Sequence, residues 1–282
     1  MRIRFWGVRG SIASAGASTA LVGGNTSCVE VRCGDQLLIL DAGTGLRALG
    51  ESLLAAGGPV EATLLVSHFH WDHIQGLPFF SPAYLPATRL LVCGASPDGT
   101  DEGVREAFAA QMRPPHFPVG LDAMRAALSF RAIATGQTWR LGGGGEVTVR
   151  TAGANHPGGC LAFRIEHEGR SLVYATDTEH FRCVDPRLAA LSRNAMEDVS
   201  VVAGHGDDQG RICLTAAYCE AGRFPVVDPG DLVHLGLPCP AVFPPGGRGE
   251  CGECGHPEAA HTPVSEDVVD LIGLCMPEFP HG

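Results

Sequence analysis

Residues 67–73 read Ser67-His68-Phe69-His70-Trp71-Asp72-His73 (SHFHWDH), which places three histidines and one aspartate within six consecutive positions. The apolar run ATLLVS at 62–67 ends where the motif begins, so the spacing predicts a loop leaving the end of a buried strand. Scaffolds present catalytic groups on such loops. On an extended backbone His68 and His70 point to the same side, and Asp72 and His73, one step further, turn toward a second position. Imidazole with carboxylate suits zinc, iron or manganese, and the lack of cysteine in the motif argues against a closed structural zinc site. The pattern therefore predicts one pocket for two metal ions, against the alternative of a histidine-rich surface loop.

Working outward, short apolar runs alternate with glycine-rich turns: RIRFWG at 2–7, SCVEVRC at 27–33, QLLILD at 36–41, RLLVCG at 89–94, LSFRAI at 128–133, EVTVRTAG at 146–153, CLAFRIE at 160–166 and SLVYATD at 171–177. Length and composition predict strands. Helical periodicity falls between them at 45–57, 101–112 and 186–194. Many strands with a few intercalated helices predict a layered α/β or α+β sandwich rather than a purely parallel sheet.

Hydrophobic residues at 45% and charged residues at 18% exclude a disordered or fibrous chain. A formal net charge of -11 argues against a broad nucleic-acid surface, although bound metal ions would offset part of it. Neither a secretory leader at 1–15 nor a long uncharged apolar window is evident, so no membrane association and a cytoplasmic location are expected. The 11 cysteines then read as free thiols or ligands rather than a disulfide framework.

HFHWDH is similar to the His-x-His-x-Asp-His signature of the metallo-β-lactamase superfamily, and companion residues in the right order strengthen the resemblance. Asp41 in LILDAGTG precedes the motif, His156 in GANHPGG follows it, and Asp177 in LVYATDTEH closes the set. FWGVRGS, GGNTSCVEV and TDTEH resemble the subgroup near ribonuclease Z and the cyclic-phosphate phosphodiesterases. The resemblance covers about residues 1–195 and implies an α+β fold, the four-layer αββα sandwich, followed by an irregular Pro- and Cys-rich segment.

The same resemblance implies a ligand set: His68, His70 and His156 for a first metal, Asp72 and His73 for a second, and Asp177 shared. Asp41 would support the metal loop, a role compatible with capping the helix that begins near Gly45. Two divalent ions, zinc with manganese or iron as alternatives, lower the pKa of a water and clamp the oxygens of a displacement, so no serine or cysteine nucleophile is needed. The reaction implied is hydrolysis of a phosphodiester, a cyclic nucleotide or RNA-type substrate. Hydrolysis of a thioester, lactam or other ester, and a degenerate metal-binding domain, are the alternatives. Asp72 would orient the nucleophile or receive its proton. His180 is a candidate acid for the leaving oxygen, against a solvent-exposed histidine at a loop start. Oligomeric state stays open, with a homodimer as one arrangement.

Other polar and aromatic residues near these motifs carry blander readings. Arg9 and Asn25-Thr26-Ser27 read as turn chemistry rather than phosphate contacts. Trp71 reads as packing around the site rather than base stacking. Phe79, Phe80, Tyr84 and Phe117 read as core rather than substrate mouth.

Past about Met196 the family pattern dissolves. Residues 196–282 are expected as a divergent C-terminal segment beside a hydrolase domain at 1–195. Residues 1–193 hold 10 prolines, and the shorter remainder holds the other 10 with 6 of the cysteines. His205, then His234, are candidate substitutes for the last ligand of the second metal, though neither stands at the family spacing. Cys251 and Cys254, with His256 and His261, would make a small zinc knuckle, against an irregular tail or a shift of reading frame.

Overall fold

The computed structural model describes residues 1–20, 23–143 and 146–178, together with Leu191 and two short strands at 200–201 and 217–218. In chain order the elements are β1 (Arg2–Gly7), β2 (Cys28–Cys33), β3 (Gln36–Leu40), α1 (Gly45–Ala56), β4 (Glu61–Val66), α2 (Trp71–Ile74), β5 (Arg89–Gly94) and α3 (Asp101–Gln111). They continue with β6 (Ala127–Ala132), β7 (Thr138–Leu141), β8 (Val147–Ala154), β9 (Cys160–His167) and β10 (Arg170–Tyr174), and then with β11 (Ser200–Val201) and β12 (Ala217–Tyr218), which pair with each other.

Strands β1 to β6 form a six-stranded sheet in sequence order, antiparallel from β1 to β3 and parallel from β3 to β6. A four-stranded antiparallel sheet in the order β10-β9-β8-β7 packs against it. Parallel neighbours require crossovers. Helix α1 lies in the crossover from β3 to β4, and α3 lies in that from β5 to β6. The crossover from β4 to β5 carries the histidine motif instead.

Period-two alternation decides which side chains meet. Leu38, Leu40, Leu65 and Cys93 point between the sheets, where they meet Val149, Leu161, Phe163 and Ile165. Leu37, Ile39, Leu64 and Val66 point the other way, onto Leu46, Leu49 and Leu53 of α1 and Val104 and Phe108 of α3. Strands buried on both faces read as continuous apolar runs, which is why QLLIL and EATLLV carry so few polar residues. Truncating Leu65 to alanine at this sheet interface costs about 3 kcal/mol.

The outer face of the second sheet presents Ala152, Ala162, Val173 and Ala175, with Leu191 seated on them. The Arg164 Nη1 group donates to the Leu191 carbonyl at 3.2 Å. This is the αββα sandwich: three layers and the contact point of the fourth fall among the described residues. The rest of the expected 186–194 helix lies outside them.

Two elements depart from expectation. Strand β7, TWRL, was not anticipated: it has four residues, too few to establish a period beside the glycine run that follows. The strand expected to reach Asp177 ends at Tyr174, where its pairing with Phe163 is the last of the ladder, and the chain takes a positive φ of 40° at Asp177. Among the described residues no helix is long and apolar enough to cross a membrane.

Candidate metal centre

Asp41 follows β3 and Ser67-His68 follows β4, so the C-terminal ends of two adjacent parallel strands deliver the first polar groups of the site. Beyond them, His70 keeps an extended backbone, while Asp72 and His73 sit on the single helical turn α2. That change from extended to helical turn sends the two halves of the motif in different directions. His156 follows β8 and Asp177 follows β10, so the second sheet supplies the opposing side. A hydrogen bond from the Leu161 amide to the Ser67 carbonyl, 2.8 Å, ties the two sheets together beside the site.

The loop after β3 and the motif loop also interlock. The Ala42 amide donates to the His73 carbonyl at 2.8 Å, and the Gly76 amide returns to the Ala42 carbonyl at 2.7 Å. A Cβ at Gly76 would collide with the Gly43 carbonyl, so glycine is required for this approach.

Asp41 is fully buried and its carboxylate organises the centre. Oδ1 accepts the Ser67 amide at 2.7 Å, and Oδ2 accepts the Ser67 hydroxyl at 2.8 Å and the Tyr174 hydroxyl at 2.7 Å. His73 Nδ1 lies 2.7 Å from the same Oδ2. A carboxylate can only accept, so His73 Nδ1 carries the proton. Its Nε2 then faces Asp177 Oδ1 at 3.2 Å and Asp72 Oδ2 at 3.4 Å.

The same accounting fixes His68. The single Ser67 hydroxyl proton goes to Asp41, so Ser67 Oγ accepts from His68 Nδ1 at 3.1 Å. His68 Nε2 is left as the lone-pair nitrogen. It is buried, makes no hydrogen bond among the described residues, and lies 3.3 Å from Asp177 Oδ2. A lone pair against a carboxylate oxygen at that distance is repulsive unless a cation lies between them. Asp41 thus sets the tautomer of two imidazoles, one directly and one through Ser67, which is how carboxylates orient histidine ligands in metal sites.

His70 Nδ1 and His156 Nε2 lie 3.0 Å apart, and His156 Nε2 is 3.5 Å from Asp177 Oδ2. One ligand atom from each of His68, His70, His156 and Asp177 falls within 4.8 Å of the others, and Asp72, His73 and Asp177 form a second such group. The two share Asp177, which is 6% exposed. Asp41 and Asp177 both take positive φ, 59° and 40°, a left-handed backbone that aspartate tolerates better than most residues.

The electrostatics call for cations. Burial alone would lower the His73 pKa, but the Asp41, Asp177 and Asp72 carboxylates outweigh it and hold the imidazole well above its usual value. Burial would raise the Asp72 carboxyl, yet hydrogen bonds from His73 and from the Ser11 amide, 2.8 Å from Oδ2, bring it below the ordinary range. His70 is lowered, chiefly by desolvation and then by the neighbouring His68. Three carboxylates around one buried imidazole hold a proton or a metal ion. Nitrogen and carboxylate donors without thiolate suit zinc, manganese or iron.

The structure thus brings together His68, His70, Asp72, His73, His156 and Asp177. Asp41 is a support and not a helix cap: the N-cap of α1 is Thr44. His180, His205, His234, Cys251, Cys254, His256 and His261 lie outside the described residues.

Arg9 and the Asn25-Thr26-Ser27 segment do serve the turns. Arg9 Nε donates to the Ile12 carbonyl at 2.9 Å, and the Thr26 amide donates to Thr44 Oγ1 at 2.8 Å. Trp71 corrects its reading. It is 70% exposed at the first position of α2, where the side chain leaves the core as Asp72 and His73 enter it. Phe80 is core and Tyr84 and Phe117 pack against the core, whereas Phe79 is 55% exposed. Sequence reasoning missed Ser67 and Tyr174 as partners of Asp41. Both stand inside the quoted strand-end motifs, but only the three-dimensional pairing shows their role.

A sequence model described as the beta-lactamase superfamily domain matches residues 37–216. Among curated proteins, the chain is 30% identical over 164 residues to ribonuclease Z of Mycobacterium avium, covering 52% of this chain and 55% of that protein. It is 29% identical over 180 residues to ribonuclease Z of Mycolicibacterium gilvum, 57% of each. The chain therefore spans about half the length of the curated relatives it matches. Among solved structures, the metallo-beta-lactamase fold protein YhfI from Bacillus subtilis is 22% identical, with a TM-score of 0.45 over 64% of this chain and 63% of that one.

Proposed function

Because the chain belongs to the beta-lactamase superfamily, we propose that it is a metal-dependent hydrolase, and specifically a phosphodiesterase acting on a nucleotide or RNA-type phosphodiester. The observation that carries this reading is the pair of donor groups sharing Asp177, with the His68 Nε2 lone pair turned toward its carboxylate. In the proposal His68, His70, His156 and Asp177 hold one divalent ion, and Asp72, His73 and Asp177 hold the other. Zinc is the favoured metal, with manganese or iron as alternatives. Two such ions supply Lewis acidity toward a phosphoryl group and bring the pKa of a water near neutrality.

The chain's own residues supply the rest. Asp41 holds the His73 Nδ1 proton directly, and Ser67 accepts the His68 Nδ1 proton, so in each ring Nε2 is the nitrogen aimed inward. Asp72, which accepts the Ser11 amide, would orient the attacking water and take its proton. His180 is proposed as the acid for the leaving oxygen. Phosphodiesters are preferred over neutral esters because a dinuclear site suits in-line displacement at an anionic centre, and because the curated relatives quoted above are ribonucleases. The proposed domain is residues 1–195, and the proposed location is the cytoplasm.

The test compares turnover of bis-p-nitrophenyl phosphate with that of a thioester and a β-lactam by the metal-loaded full chain. Chelator-sensitive hydrolysis of the phosphodiester, well above the other two, is expected. Metal-dependent turnover of only the thioester or the lactam would contradict the substrate class. No metal-dependent turnover of any of the three would contradict the hydrolase reading itself.

A further inference from the structure

A second concave site lies away from the metal centre, where β1 and β2 meet the last turns of α1. Its lining is Arg2, Ile3, Arg4, Glu30 and Arg32 from the strands and Ser52, Leu53 and Ala56 from the helix. Its volume is about 400 Å³, within the usual range for small-ligand sites. In the β1–β2 register Arg2 stands opposite Arg32 and Arg4 opposite Glu30, so four charged side chains share one face of the ribbon. Like charges directly opposite one another destabilise a sheet, and here one carboxylate faces three guanidinium groups.

Those groups are held in place. Glu30, 6% exposed, accepts Arg32 Nε on Oε1 at 2.6 Å and the Trp6 indole N–H on Oε2 at 2.9 Å. The Arg4 guanidinium lies over the Trp6 ring, 4.0 Å from its centroid. A continuous chain of contacts from Arg4 through Trp6 and Glu30 to Arg32 therefore fixes two guanidinium groups at the cavity. Arg2 makes no ion pair among the described residues. Against a formal net charge of -11 for the chain, this is a local excess of positive charge beside the apolar Leu53 and Ala56 of α1.

We propose that this cavity binds a phosphate-bearing organic anion of mononucleotide size. The phosphate engages Arg2, Arg4 and Arg32, and the apolar part of the ligand lies against Leu53 and Ala56. Planar guanidinium groups match phosphate oxygens in pairs, which a cluster of ammonium groups would not. The site is distinct from the metal centre. Strand β1 carries the arginines at its start, and its far end, about 17 Å away at strand rise, leads to Ser11 and Asp72. The proposal is independent of the reaction assigned to the metals.

The full chain as purified, and its Arg2→Glu variant, are titrated calorimetrically with adenosine 5′-monophosphate and with inorganic phosphate at low salt. Arg2 is exposed, and its replacement by glutamate turns a like-charge cross-strand pair into an opposite-charge one. The variant is expected to keep the wild-type metal content and to melt no lower. Saturable binding of the nucleotide, at least about fivefold tighter than inorganic phosphate and weakened about tenfold or more by Arg2→Glu, supports the site. A 5′-phosphorylated oligoribonucleotide that displaces the nucleotide identifies a nucleic-acid end as the source, and failure to displace it identifies a free small molecule. Unchanged nucleotide affinity in Arg2→Glu, equal affinity for inorganic phosphate, or no saturable binding overturns the proposal.

Discussion

His70 and His156 approach Asp177 from the solvent side, one exposed and the other half-buried, whereas Asp72 and His73 approach it from within, both buried. Two members of the inner group are backed by hydrogen bonds: His73 by Asp41, and Asp72 by the Ser11 amide, with Asp41 in turn held by Ser67 and Tyr174. In the outer group, Ser67 accepts from His68 Nδ1. The inner side is thus tied to Asp41 directly through His73, and the outer side is tied to it through Ser67 and His68. The more exposed outer group should lose its ion first on chelation, and substitutions inside should cost folding stability as well as metal.

Asp177 belongs to both groups, and its replacement by alanine is the largest expected effect. Both metals are weakened together, and hydrolysis falls about a thousandfold, equivalent to about 4 kcal/mol of transition-state stabilisation, in steady-state assays. Asp41→Ala comes next, because it strands the Ser67 hydroxyl, the Tyr174 hydroxyl and the His73 N–H in a buried place. A stability loss of about 3 kcal/mol is expected in urea unfolding, with impaired metal uptake at both groups.

Ser67→Ala separates the two groups most cleanly. It breaks the relay from Asp41 to His68 and leaves the direct bond to His73 in place. Affinity at the outer site should fall about 10–100-fold while the inner site changes less, read by competitive chelation. Equal weakening of the two would show that Asp41 does not act on His68 through Ser67. Tyr174→Phe should do least. It removes one of three donors on Asp41 Oδ2, costing about 1 kcal/mol with both tautomers kept.

The same contrast explains what could be read from the sequence. HFHWDH and its preceding strand are contiguous, so both halves of the motif and the double-sided burial of β4 are legible in ATLLVSHFHWDH alone. Asp41, His156 and Asp177 were placed only because their order resembles a known family. Nothing local marks His156, which stands before Pro157 in an ordinary turn sequence. The supports were illegible, since Ser67 and Tyr174 are 107 positions apart and meet only where two sheets pack. Trp71 misled for a related reason: aromatic character suggests packing, and only the single-turn geometry of α2 shows that the side chain leaves the core. The arginine-lined cavity was hidden likewise, because it depends on the β1–β2 register.

Metal stoichiometry tests the central claim most directly. Elemental analysis of the chain after loading and gel filtration is predicted to give about two divalent ions per chain, with Asp177→Ala retaining less than one. A wild-type chain that retains one ion or none, or an Asp177→Ala chain that still holds two, would contradict a dinuclear centre shared through Asp177.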